Sequence, residues 1–143
     1  MVKNNSVIDK SKQGRINRAA GARFELKVRK DLEDKGWIID KWTNNVDLEE
    51  QKLVKAKRKY NPFMKVMVIG TGFPDFIVFK FEKKKYNVMG VEVKGNGWLE
   101  RSEKGKSKFL LNKKIFSKIL IAKKGKKRGE IEYIDFEKKY GLQ

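Results

Sequence analysis

Residues 72–95 read GFPDFIVFKFEKKKYNVMGVEVKG, and this stretch constrains the fold more than any other. Two apolar runs, FIVFKF and NVMGVEV, flank the polar segment EKKKYN. Apolar runs of this length around a polar loop read as strands joined in a hairpin, and the fold has to cover them. Yet Asp75 opens the first run, and Glu92 and Lys94 interrupt the second. Successive side chains of a strand face opposite ways, so Val91 and Val93 share one face while Glu92 and Lys94 share the other. A turn near residues 84 and 85 sets Asp75 opposite roughly residue 94. Cross-strand neighbours lie only about 5 Å apart. Loop position and strand period therefore predict that Asp75, Glu92 and Lys94 converge at one end of the hairpin.

Two carboxylates at that spacing repel unless a positive charge joins them. Lys94 is one candidate, and a divalent cation is another. The chain has no cysteine and no histidine. That removes disulfides, thiolate metal sites, zinc fingers, Ser/His/Asp and Cys/His triads, and histidine-dependent nucleases. A metal here has only oxygen ligands, which favours hard ions such as Mg²⁺ or Mn²⁺. Such an ion polarises a phosphate and lowers the pKa of a water, with the lysine orienting that water or stabilising developing charge. The plainer alternative is an aspartate that starts a strand after Pro74, plus a Glu–Lys pair on a solvated sheet face.

The chain carries 36 Lys+Arg against 18 Asp+Glu, a formal net charge of +18. Such an excess points to a polyanion, most often nucleic acid. Solubility, adaptation to heat and an acidic membrane surface are the competing explanations. Lysine predominates, which suits phosphate contact more than reading of base edges. Arg15, Arg18 and Arg23, at the start of the first predicted helix, are candidate phosphate contacts or simply solvated helix charges. Trp98, in a glycine-flanked loop with Arg101, either stacks on an exposed base or plugs the loop from beneath. The turn Lys123-Lys124-Gly125-Lys126-Lys127-Arg128 is placed to grip a duplex arm. Lys83, Lys84 and Lys85 lie at the hairpin end away from the acids and are read as solubilising or as distant backbone contacts.

At 143 residues the chain reads as one domain, residues 15–143, behind a flexible basic N-terminus, residues 1–14. Ala20, Phe24, Val28 and Leu32 form an apolar stripe, predicting a helix from about Ile16 to Lys35 with Gly36 as its stop. WIIDKW, residues 37–42, reads as a strand. Asp47 with Glu50 resembles a capping signal and predicts a short basic helix to about Lys59, ended by Pro62. Residues 63–69 read as a strand or an extended lead-in. GNGWLERSEKGKS is read as a loop, residues 107–117 as a short helix, and KILIAK and EIEYIDF as strands across a hairpin-like turn. The class is mixed α/β, a central sheet covered by helices. Trp37, Trp42 and the phenylalanines are read as core. No apolar run is long enough to cross a bilayer and the N-terminus lacks a signal-peptide core, so the expected location is intracellular, in the cytoplasm.

With Pro74-Asp75 preceding Glu92-Val93-Lys94, and Gly21-Ala22-Arg23-Phe24-Glu25 upstream, the chain resembles the PD-(D/E)xK nuclease superfamily. The helix motif is similar to that of archaeal Holliday-junction resolvases, and the GFPD phrasing with an EVK strand resembles the virus-type replication-repair nucleases. The similarity spans about residues 17–120. It implies a restriction-endonuclease-like α-β-β-β-α-β core, a mixed sheet flanked by helices, and Mg²⁺- or Mn²⁺-dependent cleavage of DNA. Asp75, Glu92 and the carbonyl of Val93 are then metal ligands, Lys94 serves the nucleophilic water, and Glu25 reaches the site from the first helix. Against that last role, Glu25 is otherwise an ordinary surface glutamate. Relatives often carry a glutamine or another polar residue on the helix after the EVK strand; here Asn112 or Lys113 stands in that region. The resemblance implies a homodimer on branched or distorted DNA. Cleavage of flaps, ends or general duplex is the first alternative, and a non-catalytic nucleic-acid-binding module on the same fold is the second.

Overall fold

The computed structural model describes residues 10–69 and 72–142. The chain is mixed α+β, built from a mixed five-stranded sheet and three helices. The helix α1 (Lys10–Asp34) leads into β1 (Ile38–Lys41). Two small hairpins follow, β2 (Asn44–Asp47) with β3 (Lys52–Lys55), and β4 (Arg58–Asn61) with β5 (Val66–Ile69). The main sheet resumes with β6 (Phe76–Glu82) and β7 (Lys85–Val93), passes through α2 (Arg101–Asn112), and ends with β8 (Lys118–Lys124), β9 (Ile131–Asp135) and α3 (Phe136–Tyr140). Its spatial order is β1-β6-β7-β8-β9, antiparallel except for the β7–β8 pair. A parallel pair needs a crossover, and α2 supplies it.

The sheet is covered on both faces. Phe24, Val28 and Leu32 of α1 pack with Phe76, Val78, Met89 and Val91 on one side. Phe109, Leu110 and Leu111 of α2 pack with Phe116, Ile119 and Phe136 on the other. The predicted α1 stripe is thus the buried stripe, with Ala20 half-buried at its N-terminal end. Strand β8 serves both cores by alternation, with Ile119 and Ile121 in one cluster and Ala122 in the other. Tyr133 of β9 ties α1 down by donating its hydroxyl to Asp31 Oδ2 at 2.6 Å. Tyr133→Phe leaves the ring and removes only that bond, so thermal unfolding is expected to show a loss of about 1 kcal/mol. An unchanged midpoint would mean the bond adds nothing.

Four expectations change. The basic helix from Asp47 to Lys59 is absent, and hairpins occupy that span. Asp47 Oδ1 does accept the N–H groups of Glu49 (3.0 Å) and Glu50 (3.1 Å), the bonds that cap a helix, but here they close the β2–β3 turn. The stretch read as the loop GNGWLERSEKGKS contains the first turns of α2, which runs from Arg101 to Asn112 instead of over 107–117. Glu100 and Glu103 form a reciprocal capping box at its start. Residues 10–14 are already helical, whereas the rest of the expected flexible N-terminus, 1–9, lies outside the described residues. Finally, the β6–β7 turn is a two-residue one at Lys83 and Lys84, both left-handed (φ 50° and 66°), as a tight hairpin of matching twist requires. The register Phe76↔Val91, carried one residue on, therefore sets Asp75 opposite Glu92 instead of residue 94.

Candidate functional site

Asp75 sits just before β6, after the cis Phe73–Pro74 peptide. The Pro74 ring lies over Gly90 of β7, where a Cβ would meet Pro74 Cγ at 2.6 Å. Only glycine admits that approach, and it draws Asp75 down onto the end of β7. There Asp75 Oδ2 accepts the Val93 N–H at 2.8 Å, and its backbone carbonyl accepts the Trp42 N–H at 3.1 Å. Glu92 points to the α2 side of the sheet and is buried, 4% exposed. Burial first, and then a hydrogen bond and charge repulsion from Asp75, push its carboxyl up to about 10. At neutral pH Glu92 is therefore held protonated, hydrogen-bonded to Asp75.

Lys94 lies one step beyond β7, and its N–H donates to the Ala122 carbonyl at 2.9 Å. Its Nζ donates to Glu103 Oε2 at 2.8 Å. Burial opposes the ammonium, but the Glu103 hydrogen bond and the charges of Glu92, Glu103 and Asp75 outweigh it and raise the pKa. Glu103 was not foreseen. It is held by its capping bond, Oε1 accepting the Glu100 N–H at 2.9 Å. The Glu-x-x-Glu spacing at 100–103 and the helix-start preference for acids were the only sequence signals for it. Glu25 enters from α1; burial first and then Asp75 raise its pKa, while Lys41 lowers it.

These side chains line one open cleft of about 440 Å³, with Glu25, Asp75, Glu92, Lys94, Glu103 and Lys106 around it. The structure thus brings together Asp75, Glu92, Lys94 and Glu25. It does not bring in Asn112 or Lys113, which are exposed at the far end of α2; Glu103 and Lys106 of its first turns face the cleft instead. Among the described residues, no group of three or more acidic side chains is arranged to hold a metal ion.

A trough continues from the cleft. Glu25 and Val93 line both the cleft and a neighbouring hollow of about 660 Å³ between α1 and the Gly95–Asn96 loop. Phe24 and Lys124 line both that hollow and a smaller pocket of about 290 Å³ at the β8–β9 turn. Lys27, Lys126, Lys127 and Arg128 surround this last pocket, with Glu130 as its one acid. Lys123 instead faces Glu132 at 3.6 Å. Arg15, Arg18 and Arg23 are exposed along α1, and Arg101 is exposed at the start of α2. Trp98 is 73% exposed, so it does not plug the loop; Leu99, 5% exposed, does. Trp42 packs edge-on against Phe116, with ring centroids 5.0 Å apart, and Trp37 packs at the margin of the α1 core.

No family model, no curated protein and no solved structure matches the chain.

Proposed function

We propose that the cleft at the end of β6 and β7 is a divalent-metal-dependent phosphodiesterase site acting on DNA. The observation that carries this reading is the buried Glu92 carboxyl pressed against Asp75 beside the charged Lys94. A structural core gains nothing from a carboxyl buried against a second one, whereas a site built for a cation does. The element order α1-β1-β6-β7-α2-β8 is also in keeping with the superfamily that the sequence motifs resemble.

The donor set fits Mg²⁺ or Mn²⁺: it is oxygen throughout, and the proton on Glu92 holds the place where a cation neutralises both carboxylates. Asp75, Glu92 and the Val93 carbonyl would be the ligands, with Glu25 within electrostatic reach of Asp75. Because no three acids among the described residues are arranged to hold a metal ion, water and the substrate phosphate would supply the remaining contacts, as they commonly do for Mg²⁺. The chemistry supplied by such an ion is polarisation of the phosphate and acidification of a water. Lys94 stays protonated, so its role is to donate hydrogen bonds to the phosphate oxygens as charge develops, and not to remove a proton. Glu103 keeps that ammonium charged and aimed. In the hydrolysis, the water oxygen bonds to phosphorus as the water gives up a proton to solvent, the bridging P–O bond breaks, and the departing oxygen takes a proton from solvent.

The trough carries the DNA backbone away from the cleft, and the pocket formed by Lys27, Lys124, Lys126, Lys127 and Arg128 receives a distant phosphate. Arg15, Arg18 and Arg23 extend the cationic wall along α1. Selectivity for branched DNA and action as a homodimer are part of the proposal.

The test is a panel of four-way junction, flap, duplex and single strand in Mg²⁺, Mn²⁺, Ca²⁺ and EDTA. Paired symmetric nicks in the four-way junction with Mg²⁺ or Mn²⁺ and none with EDTA are expected. Equal cutting of all substrates would remove the structure selectivity, and no cutting of any would remove the catalytic reading. Metal affinity is expected to rise at least about tenfold when DNA is present, because the phosphate completes the ligand set. Calorimetry with a non-cleavable analogue measures this; equal affinities with and without DNA would contradict it.

A further inference from the structure

The β4–β5 ribbon belongs neither to the main sheet nor to the cleft. It is a two-stranded sheet of its own, paired from Arg58↔Ile69 to Asn61↔Val66 around residues 62–65. Its tip is locally fixed. Asn61 Oδ1 accepts the N–H groups of Phe63 (3.0 Å) and Met64 (3.1 Å), and Lys65 closes the turn in the left-handed region at φ 52°. This fixed tip holds apolar side chains out in solvent, with Phe63 95% and Met64 68% exposed. Tyr60 and Met67, paired across the ribbon, are exposed as well. An isolated hairpin is marginally stable in water, and a patch of this kind marks an interaction surface.

The charge around the tip identifies its partner. From residue 51 to residue 74 the chain has six Lys or Arg and no Asp or Glu. A second copy docking through the same ribbon would set these cations against their own counterparts, with no acid in the span to pair them. Nucleic acid meets both features at once: phosphates for the cations, and stacked bases that an apolar side chain can part. We propose that the β4–β5 ribbon is a nucleic-acid arm whose tip residues, Phe63 and Met64, wedge into a base step and unstack it. Lys57, Arg58 and Lys65 hold the flanking phosphates. The chain reaches Asp75 six residues after β5 ends, so the arm is tethered close to the cleft in sequence. The proposal rests on the nucleic-acid part of the preceding reading and is independent of hydrolysis.

The experiment uses the full chain in EDTA, with four-way junction and duplex carrying 2-aminopurine at successive positions. The parent is expected to raise 2-aminopurine emission at a base step. Phe63→Ala/Met64→Ala is expected to abolish the rise and weaken binding roughly tenfold, the scale of one lost base–aromatic stack. Its melting temperature should match the parent's, since Phe63 is 95% exposed and supports no core. Lys57→Ala/Arg58→Ala/Lys65→Ala should keep the rise at saturation but flatten the salt dependence of log K by about 2–3. The arm proposal is overturned if the parent gives no rise, if the tip variant keeps it, or if the tip variant only dissociates a dimer seen by sedimentation. Loss of cleavage activity does not bear on this readout, because no step of it requires a metal.

Discussion

Lys94→Ala is expected to lower Mg²⁺-dependent DNA cleavage by about 10²–10³-fold, the scale of losing one preorganised donor to developing charge. The ammonium is half-buried, bonded to Glu103 Oε2 at 2.8 Å, and surrounded by three carboxyl groups that raise its pKa. It is charged throughout the working pH range and needs no reorganisation to meet a charged phosphate. The same substitution removes at most one of the chain's many cations from the DNA contact, so affinity in EDTA should fall by less than about threefold. It also leaves Glu103, 13% exposed at its side chain, without its partner, and a stability loss of about 1–2 kcal/mol is expected. Cleavage is therefore compared at a temperature where thermal unfolding shows both proteins folded. Cleavage as fast as the parent's would remove Lys94 from the chemistry. Glu103→Gln, which keeps the hydrogen bond but not the charge, is expected to fall between the two.

Glu92→Gln is expected to do two opposite things. The folded state holds a proton on Glu92 up to a pH of about 10, whereas the unfolded chain releases it near the ordinary value of 4.5. Between those values the folded state binds more protons, so this carboxyl costs stability progressively as pH rises through that window. Glutamine has nothing to lose and can still donate to Asp75. In EDTA at pH 8 the variant should be more stable than the parent, by up to about 5 kcal/mol for the roughly 3.5 pH units above 4.5, and the two should converge towards pH 4.5. In Mg²⁺ the order reverses in function: the variant has lost a charged oxygen ligand, and cleavage should fall below detection. If the variant is less stable than the parent at pH 8 in EDTA, the buried carboxyl is not held protonated by the fold.

The gap between sequence and structure is instructive at particular residues. Alternation along β7 was enough to separate Val91 and Val93 from Glu92, and four-residue spacing was enough to find Phe24, Val28 and Leu32. Both signals are local. The hairpin register needed the turn type, and Lys83-Lys84 is an unusual pair for left-handed positions, where Asn-Gly is the ordinary signal. Asp47 misled because its side chain makes the same bonds in a helix cap and in an Asx turn; the choice was made by the pairing of Asn44–Asp47 with Lys52–Lys55. The start of α2 was hidden by Gly105, a poor helix former, and by dense charge. The glycine is accounted for by Leu48, whose Cδ1 would lie 3.2 Å from a Cβ there, a contact between elements far apart in the chain. With α2 misplaced, Glu103 could not be seen as the partner of Lys94. The exposed tip of the β4–β5 ribbon was likewise illegible, since apolar residues in a strand pattern are expected to be covered.

The central claim, that Asp75 and Glu92 jointly hold a divalent cation beside Lys94, is tested most directly by locating the ion. Fe²⁺ loaded in place of Mg²⁺, in the presence of DNA and treated with hydrogen peroxide and ascorbate, generates hydroxyl radicals that cut the polypeptide next to the site that binds it. Cuts confined to the chain around Asp75 and around Glu92–Lys94, suppressed by excess Mg²⁺ and absent from Asp75→Asn, are the predicted result. Cuts elsewhere, or cuts that persist in Asp75→Asn, would contradict it.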